Sequence, residues 1–218
     1  MLAKARRLTL AKRPRTRREE AAARTREEIL DAAARALARR GFKSVSLQDI
    51  AREVGFTAPA LYIYFESKEA IFAALAGRMT DELNATFDPP PAAGAGFQVR
   101  VEALLRRQLE WVDHRRDAFA ALFALQMAGQ PIEKPPGAGP LDYLERLTGW
   151  LRKAARSPRD LGGHSAADAA ALLMGVGHGF FLRWLVSRDG SRLADQTERL
   201  VGFFFHGLVG PARRPRSR

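Results

Sequence analysis

Three hydroxyl side chains, Ser46, Thr57 and Ser67, stand within one short stretch, each where a helix should begin. A helix start carries free N–H groups and the positive end of the helix dipole, so three of them close together attract phosphate oxygens. That is the chemistry of holding an anion, not of making or breaking bonds. Catalysis finds no cluster to work with. His114, His164, His178 and His206 are scattered, with no i,i+4 pair and no carboxylate at metal-ligand spacing. There are no cysteines, no Ser/His/Asp grouping and no paired carboxylates. The expectation is a protein that is not an enzyme and needs neither metal nor cofactor.

The elements that position these hydroxyls can be read from Ser46 to Lys68, SLQDIAREVGFTAPALYIYFESK. Ser46 with Asp49 is an N-cap and its acidic partner. Leu47, Ile50, Ala51 and Val54 then recur at helical spacing and bury one face. Gly55 ends that helix, and Phe56 fills the corner. Thr57 caps a second short helix, with Pro59 in its first turn, where the missing N–H costs nothing. Leu61 and Phe65 point inward, while Tyr62, Ile63 and Tyr64 leave mostly by other faces. Ser67 caps a third helix with Lys68 in its first turn. Two short helices joined by a glycine corner form a helix-turn-helix. Its second helix, about Ala58 to Tyr64, fits the DNA major groove, which is about 12 Å wide. It is so short that only its first turn and one face reach base edges.

The phrase G-F-T-x-x-x-L-Y-x-Y-F-x-S-K-E-x-I-F, preceded by S-L-Q-D-I-A-R-E-V, resembles the DNA-binding domain of TetR-type (tetracycline-repressor-like) regulators. The likeness runs from Thr25 to about Leu75. It implies a three-helix DNA-binding domain, an all-helical domain for effector binding and dimerisation, and repression relieved by a small molecule. Carried onto this sequence, it implies phosphate contacts from Ser46, Thr57, Tyr62, Tyr64 and Lys68. Ala58, Ala60 and Ile63 would face the bases, and Pro59 between them counts among the DNA-binding residues. These three are apolar, where the family often has polar, glycine or larger groups.

The charge is placed unevenly. The net charge is +12, of which residues 1–24 carry +7 and residues 211–218 carry +4. Residues 25–70 hold seven basic and seven acidic groups. The body is therefore no general polyanion binder, and its contacts with DNA must rest on geometry, the tails adding long-range attraction. No run of 18 apolar residues occurs, so no transmembrane helix and no membrane partner are expected. The basic start lacks an apolar core segment and is not a secretory signal. The lack of cysteine fits a reducing cytoplasm.

The chain divides into a basic disordered arm (1–24), a helix-turn-helix domain (25–70), a helical ligand-binding and dimerisation domain (71–210) and a basic tail (211–218). The fold class is all-α, with about nine helices. Thr25 and Glu28 form a capping box that opens the first helix, which Gly41 stops. A fourth helix runs from near Lys68 towards Phe87. Helices follow over about 97–114, 117–127, 141–155 and 165–186, and the last over 193–209. Loops fall at 88–96, 129–140 and 157–163.

Gly175, Gly177 and Gly179 lie inside a helix, where each costs about 1 kcal/mol against alanine. Close helix approach is the offset, at a subunit interface or beside a ligand; burial in a monomeric core is the alternative. With Phe203, Phe204 and Gly207 of the last helix, Gly175 and Gly179 mark the expected homodimer interface. An effector pocket is expected among Met79, Leu83, Trp111, Phe119, Phe123, Met127, Trp150, His178, Phe180 and Trp184. Side chains of these types at helical spacing are more often ordinary core, and that is the alternative for each. The ligand would be hydrophobic or aromatic. The sequence thus points to a DNA-binding repressor released from a palindromic operator by a small molecule. The alternative is a tail-driven, non-specific nucleic-acid-binding dimer without an effector.

Overall fold

A computed structural model describes residues 16–88, 94–127, 140–187 and 190–207. The side chains of 121, 124–127 and 140 lie outside the description. Among the described residues there is no strand. These described residues form nine α-helices in order: α1 (Arg17–Arg40), α2 (Leu47–Val54), α3 (Ala58–Leu61), α4 (Lys68–Ala85), α5 (Phe97–His114), α6 (Arg116–Met127), α7 (Pro140–Ala154), α8 (Ala166–Ser187) and α9 (Thr197–His206). Single turns of 3-10 helix cover Pro158–Leu161, inside the expected loop 157–163, and Leu193–Gln196.

The first helix corrects the sequence reading at its start. It begins at Arg17, not at Thr25, so residues 16–24 are not a disordered arm. The capping box is closed by Thr16 and Glu19: the Thr16 hydroxyl accepts from the Glu19 N–H, and the Glu19 carboxylate accepts from the Thr16 N–H. Glu19, Glu20 and three alanines then favour helix. The apolar face starts only at Ile29, which is why periodicity alone pointed to a later start. Residues 1–15 and 208–218, with most of the arm and the whole basic tail, lie outside the described residues.

Two apolar cores follow. In the first, α1, α2, α3 and the first turns of α4 enclose Ile29, Leu30, Ile50, Leu61, Phe65, Ile71 and Phe72. Helix α6 packs along the far side of α1 and brings Ala118 into this same core. This explains why α1 buries Ala32, Ala34 and Ala36 as well as its long side chains. The second core is built by α5, α7, α8, α9 and the second 3-10 turn, around Leu104, Leu147, Leu151, Leu173, Phe181 and Leu200. Trp111 and Phe119 touch both cores.

The last helix also differs from expectation. Asp113 on α5 accepts the N–H groups of Leu193 and Ala194 at 2.7 and 2.9 Å. This ties residues 193–196 down as a 3-10 turn, so α9 proper starts at Thr197 and ends at His206. Helix α8 is 22 residues long and apolar on more than one face. By length and composition alone this helical stretch could cross a membrane, which an expectation drawn from unbroken apolar runs misses. Here α7 and α9 pack against it.

Candidate nucleic-acid interface

Local caps build the helix-turn-helix. The Ser46 hydroxyl accepts from the Asp49 N–H at 3.2 Å, and the Asp49 carboxylate accepts from the Ser46 N–H at 3.0 Å and hydroxyl at 2.7 Å. These bonds hold the Asp49 carboxyl below its ordinary pKa, helped by the Arg40 guanidinium. Gly55 turns the corner at φ 82°, a left-handed conformation that would strain any other residue. Arg35 and Arg39 on α1 pair with Glu53, and Arg40 pairs with Asp49, so α2 is clasped to α1.

The expected contact residues fall into two groups. Ile63 and Tyr62 are 80% and 57% exposed, large apolar side chains facing water with nothing to cover them. Thr57 and Pro59 are exposed beside them, and Ala58 and Ala60 are half-buried. Thr57 stands at the N-cap position of α3, yet its hydroxyl makes no capping bond. Helix α3 is one turn long, so Tyr62–Tyr64 form a turn beyond it and not a continuing helix. The second group is engaged inside the protein. The Ser46 hydroxyl is taken up by its cap. Tyr64 is half-buried with its ring stacked on Phe56 at 6.4 Å. The Lys68 ammonium donates to the Phe42 carbonyl at 3.1 Å and sits 4.5 Å above the Phe42 ring. Ser67 accepts from the Ala70 N–H at 3.1 Å and caps α4.

One residue that the motif did not include belongs here. Arg26 on α1 donates to the carbonyl of Tyr64 and lies 4.0 Å above the Phe65 ring. It is 38 positions away along the chain, so no spacing pattern could flag it.

Behind the helix-turn-helix, a charged cluster joins α1, α4 and the α5–α6 corner. Arg78 pairs with Glu27 at 2.9 Å and Asp31 at 2.8 Å, and its side chain is only 14% exposed. Its buried Nε faces Glu82 at 3.9 Å, too far to hydrogen-bond. Glu82 in turn accepts twice from Arg115, at 2.8 and 3.0 Å, and once from the Trp111 indole N–H at 3.0 Å. Burial alone pushes the Glu82 carboxyl up, but the bonds from Arg115 and Trp111 and the nearby guanidinium charges outweigh it and hold the pKa below normal. A depressed folded pKa adds stability that is complete above the unfolded value, about 4.5, and drains away as pH falls through the folded value. Thermal melts from pH 7 to pH 3 check this. At neutral pH Glu82→Gln melts below the native chain, and the gap closes as acid protonates Glu82. A gap that stays constant with pH would refute the role of the charge.

The expected pocket residues are only partly gathered. Phe119, Phe123 and Trp184 converge on Phe181, with Phe119–Phe181 and Phe123–Phe181 centroids 4.8 and 4.9 Å apart and Phe181–Trp184 at 5.9 Å, and Trp111 joins them through Phe119 at 5.8 Å. Phe181 itself was not singled out in the sequence, although it is the centre of the cluster. Its neighbour Phe180, an expected lining residue, turns the other way and meets Phe203 of α9 at 5.8 Å. His178 meets the edge of Phe123 at 6.0 Å, and partial burial lowers its pKa. Met79 belongs to the first core, which Trp111 and Phe119 also touch, because α4 runs there. Leu83 is half-buried, and Trp150 packs against the second core. The Met127 side chain lies outside the described residues.

Of the expected interface residues, Gly175 and Gly179 lie on an exposed face of α8 that includes Leu172, Leu182 and Val186. A Cβ at either glycine would meet nothing within 4 Å in this chain. Phe203 and Phe204 are half-buried, and Gly207 closes α9 at φ 66°.

The comparison with known proteins agrees with this geometry. Residues 29–75 match the family described as "Bacterial regulatory proteins, tetR family". The HTH-type transcriptional repressor BepR of Brucella suis biovar 1 is 31% identical over 205 residues, which cover 89% of this chain and 96% of BepR. The chain belongs to the tetR family. It is thereby a helix-turn-helix transcriptional regulator and not an enzyme. A second relative, the HTH-type transcriptional regulator TtgR of Pseudomonas putida, is 28% identical over 203 residues, 85% of this chain and 91% of TtgR. Both alignments extend far beyond the helix-turn-helix, so the tetR-family likeness includes the helical body. The structure of FadR from Bacillus subtilis in complex with stearoyl-CoA superposes with a TM-score of 0.71, covering 84% of this chain and 99% of FadR. At 18% identity that match concerns the shared tetR-type fold alone.

Proposed function

We propose that this tetR-family regulator is a homodimeric repressor whose Tyr62–Ile63 turn reads a palindromic operator, and that a small apolar or aromatic effector releases it. The observation that carries the reading is the exposure of Tyr62 and Ile63. Two large side chains held out in water by a clasped scaffold are otherwise a liability. In a major groove, their apolar surface meets thymine methyl groups and the tyrosine hydroxyl meets phosphate or base edges. Dimerisation through the α8 and α9 faces sets two such turns a helical repeat, about 34 Å, apart or a multiple of it.

The effector reading rests on the aromatic cluster around Phe181 and on where it sits. Trp111 and Phe119 belong to both cores, and Trp111 also holds Glu82 of α4. A ligand inserted among these rings displaces Trp111 or Phe119 and so tilts α4 against α1. It releases DNA only if it binds the non-DNA state more tightly, since equal affinity shifts nothing. Stearoyl-CoA, with which FadR forms its complex, is an amphiphile with a long apolar chain, in line with this class.

The test is selection of duplexes from a randomised pool, followed by titration of the native chain, Tyr62→Ala and Ile63→Ala. The native chain enriches a palindrome, and each substitution costs about 1–3 kcal/mol on it, roughly 5- to 150-fold. Melting temperatures stay unchanged, because neither side chain is buried. Apolar and aromatic compounds are then screened for one that raises the melting temperature and releases the selected duplex. Failure to enrich any sequence, with binding that falls steeply with salt, would favour tail-driven non-specific binding instead.

A further inference from the structure

We infer that Arg26 is a positioning residue for sequence reading, resting on the proposal that the Tyr62–Ile63 turn contacts bases. Helix α3 is a single turn. A helix this short cannot hold its own ends, because none of its terminal carbonyls and N–H groups gains much from the helix dipole or from cooperative bonding. Its N-cap hydroxyl on Thr57 makes no capping bond to help. At one end the turn is anchored by Leu61, fully buried, whose carbonyl accepts from Tyr64 and Phe65 N–H at 2.9 and 3.0 Å. Between Leu61 and Phe65 the chain runs through two exposed contact residues, Tyr62 and Ile63.

At the other end, where Tyr64 stacks on Phe56 and Phe65 is buried, Arg26 holds the backbone itself. Its guanidinium reaches across from α1, donates to the Tyr64 carbonyl and lies over the Phe65 ring. A planar fork that bonds and stacks at once fixes both the position and the tilt of what it touches. The carbonyl belongs to the residue directly after Ile63, so the bond sets the direction in which Ile63 leaves the scaffold. Phe65 is buried, so the stack ties the same fork to the first core. Arg26 thus bridges the helix that does not meet the bases, α1, to the turn that does.

A cation in this place has a rival role, direct contact with a phosphate. The two roles separate by measurement. A phosphate contact supports every duplex equally and contributes about one unit to the salt slope. A positioning contact supports only the duplex whose bases the turn must meet. The full chain and its Arg26→Gln and Arg26→Lys variants are titrated at several salt concentrations against the duplex selected by the native chain and against a random duplex. For Arg26→Gln, the expected result is about a tenfold loss or more on the selected duplex. Affinity for random duplex and the salt slope stay unchanged. Arg26→Lys, which keeps the charge and loses the fork, falls between. Where Arg26→Gln melts early, Arg26→Lys alone decides, by the same comparison of the two duplexes. Equal losses on both duplexes with a slope smaller by about one overturn the inference in favour of phosphate contact. So does no loss at all. If the native chain itself shows no preference, it is the base-reading proposal that fails, and the two failures are told apart.

Discussion

Replacing both Gly175 and Gly179 by leucine is expected to leave a folded monomer that no longer holds its operator. Within one chain a Cβ at either position meets open space, so the protomer has no steric reason to object. Removing glycine from the middle of α8 relieves about 1 kcal/mol of helix cost at each site. The glycines are therefore unexplained by the chain alone, and under the proposed homodimer a partner helix approaching closely over them supplies the reason. Two leucines inserted there overpack the contact by about 1–3 kcal/mol each. At a two-fold interface each insertion is felt twice, so the dimer should weaken by about hundredfold or more. Sedimentation velocity gives the mass, and titration of the selected duplex gives the consequence. A variant that remains dimeric with undiminished operator affinity would remove the exposed α8 face from the interface. Gly175→Ala serves as the mild control.

Phe72→Ala should be the most damaging single substitution for stability. The ring is fully buried on the first turns of α4, with its centroid 5.3 Å from that of Phe42. Truncating a buried phenylalanine costs about 3–5 kcal/mol, against a total stability of about 5–15 kcal/mol. Phe42 loses its neighbour, and with it the support for the ring and carbonyl that hold Lys68 at the start of α4. Differential scanning calorimetry should show the melting temperature lowered by roughly 10 °C for a chain of this size. A loss below about 1 kcal/mol would mean that the site collapses onto the gap and that the first core is less rigid than its burial implies.

What the sequence revealed follows the range over which its signals act. Ser46 and Asp49, Gly55 and Thr57, and Ser67 and Lys68 act within three residues of one another, and the helix-turn-helix could be drawn from them. The start of α1 is not legible from periodicity, because its early polar stretch carries a cap and helix formers but no apolar face. Arg26 gives no local signal because its partners lie on another element. Nor do Arg78, Glu82 and Arg115, since 33 positions separate Glu82 from Arg115. Adjacent Phe180 and Phe181 defeated the pattern for another reason. A helix that is apolar all round offers no phase, so nothing local says which ring faces α9 and which faces α6.

The way α6 lies along α1 has a consequence for how such regulators can be recombined. Ala118 completes the core of the DNA-binding end, and Trp111 and Phe119 are shared by both cores. A fragment cut after α4 would expose the alanine-lined side of α1 to water. The two ends are therefore expected to melt as one cooperative unit, and exchanging α1 to α4 alone would set the new α1 against an unmatched α6. A functional chimera has to carry the matching surface of α6 with the helices it covers.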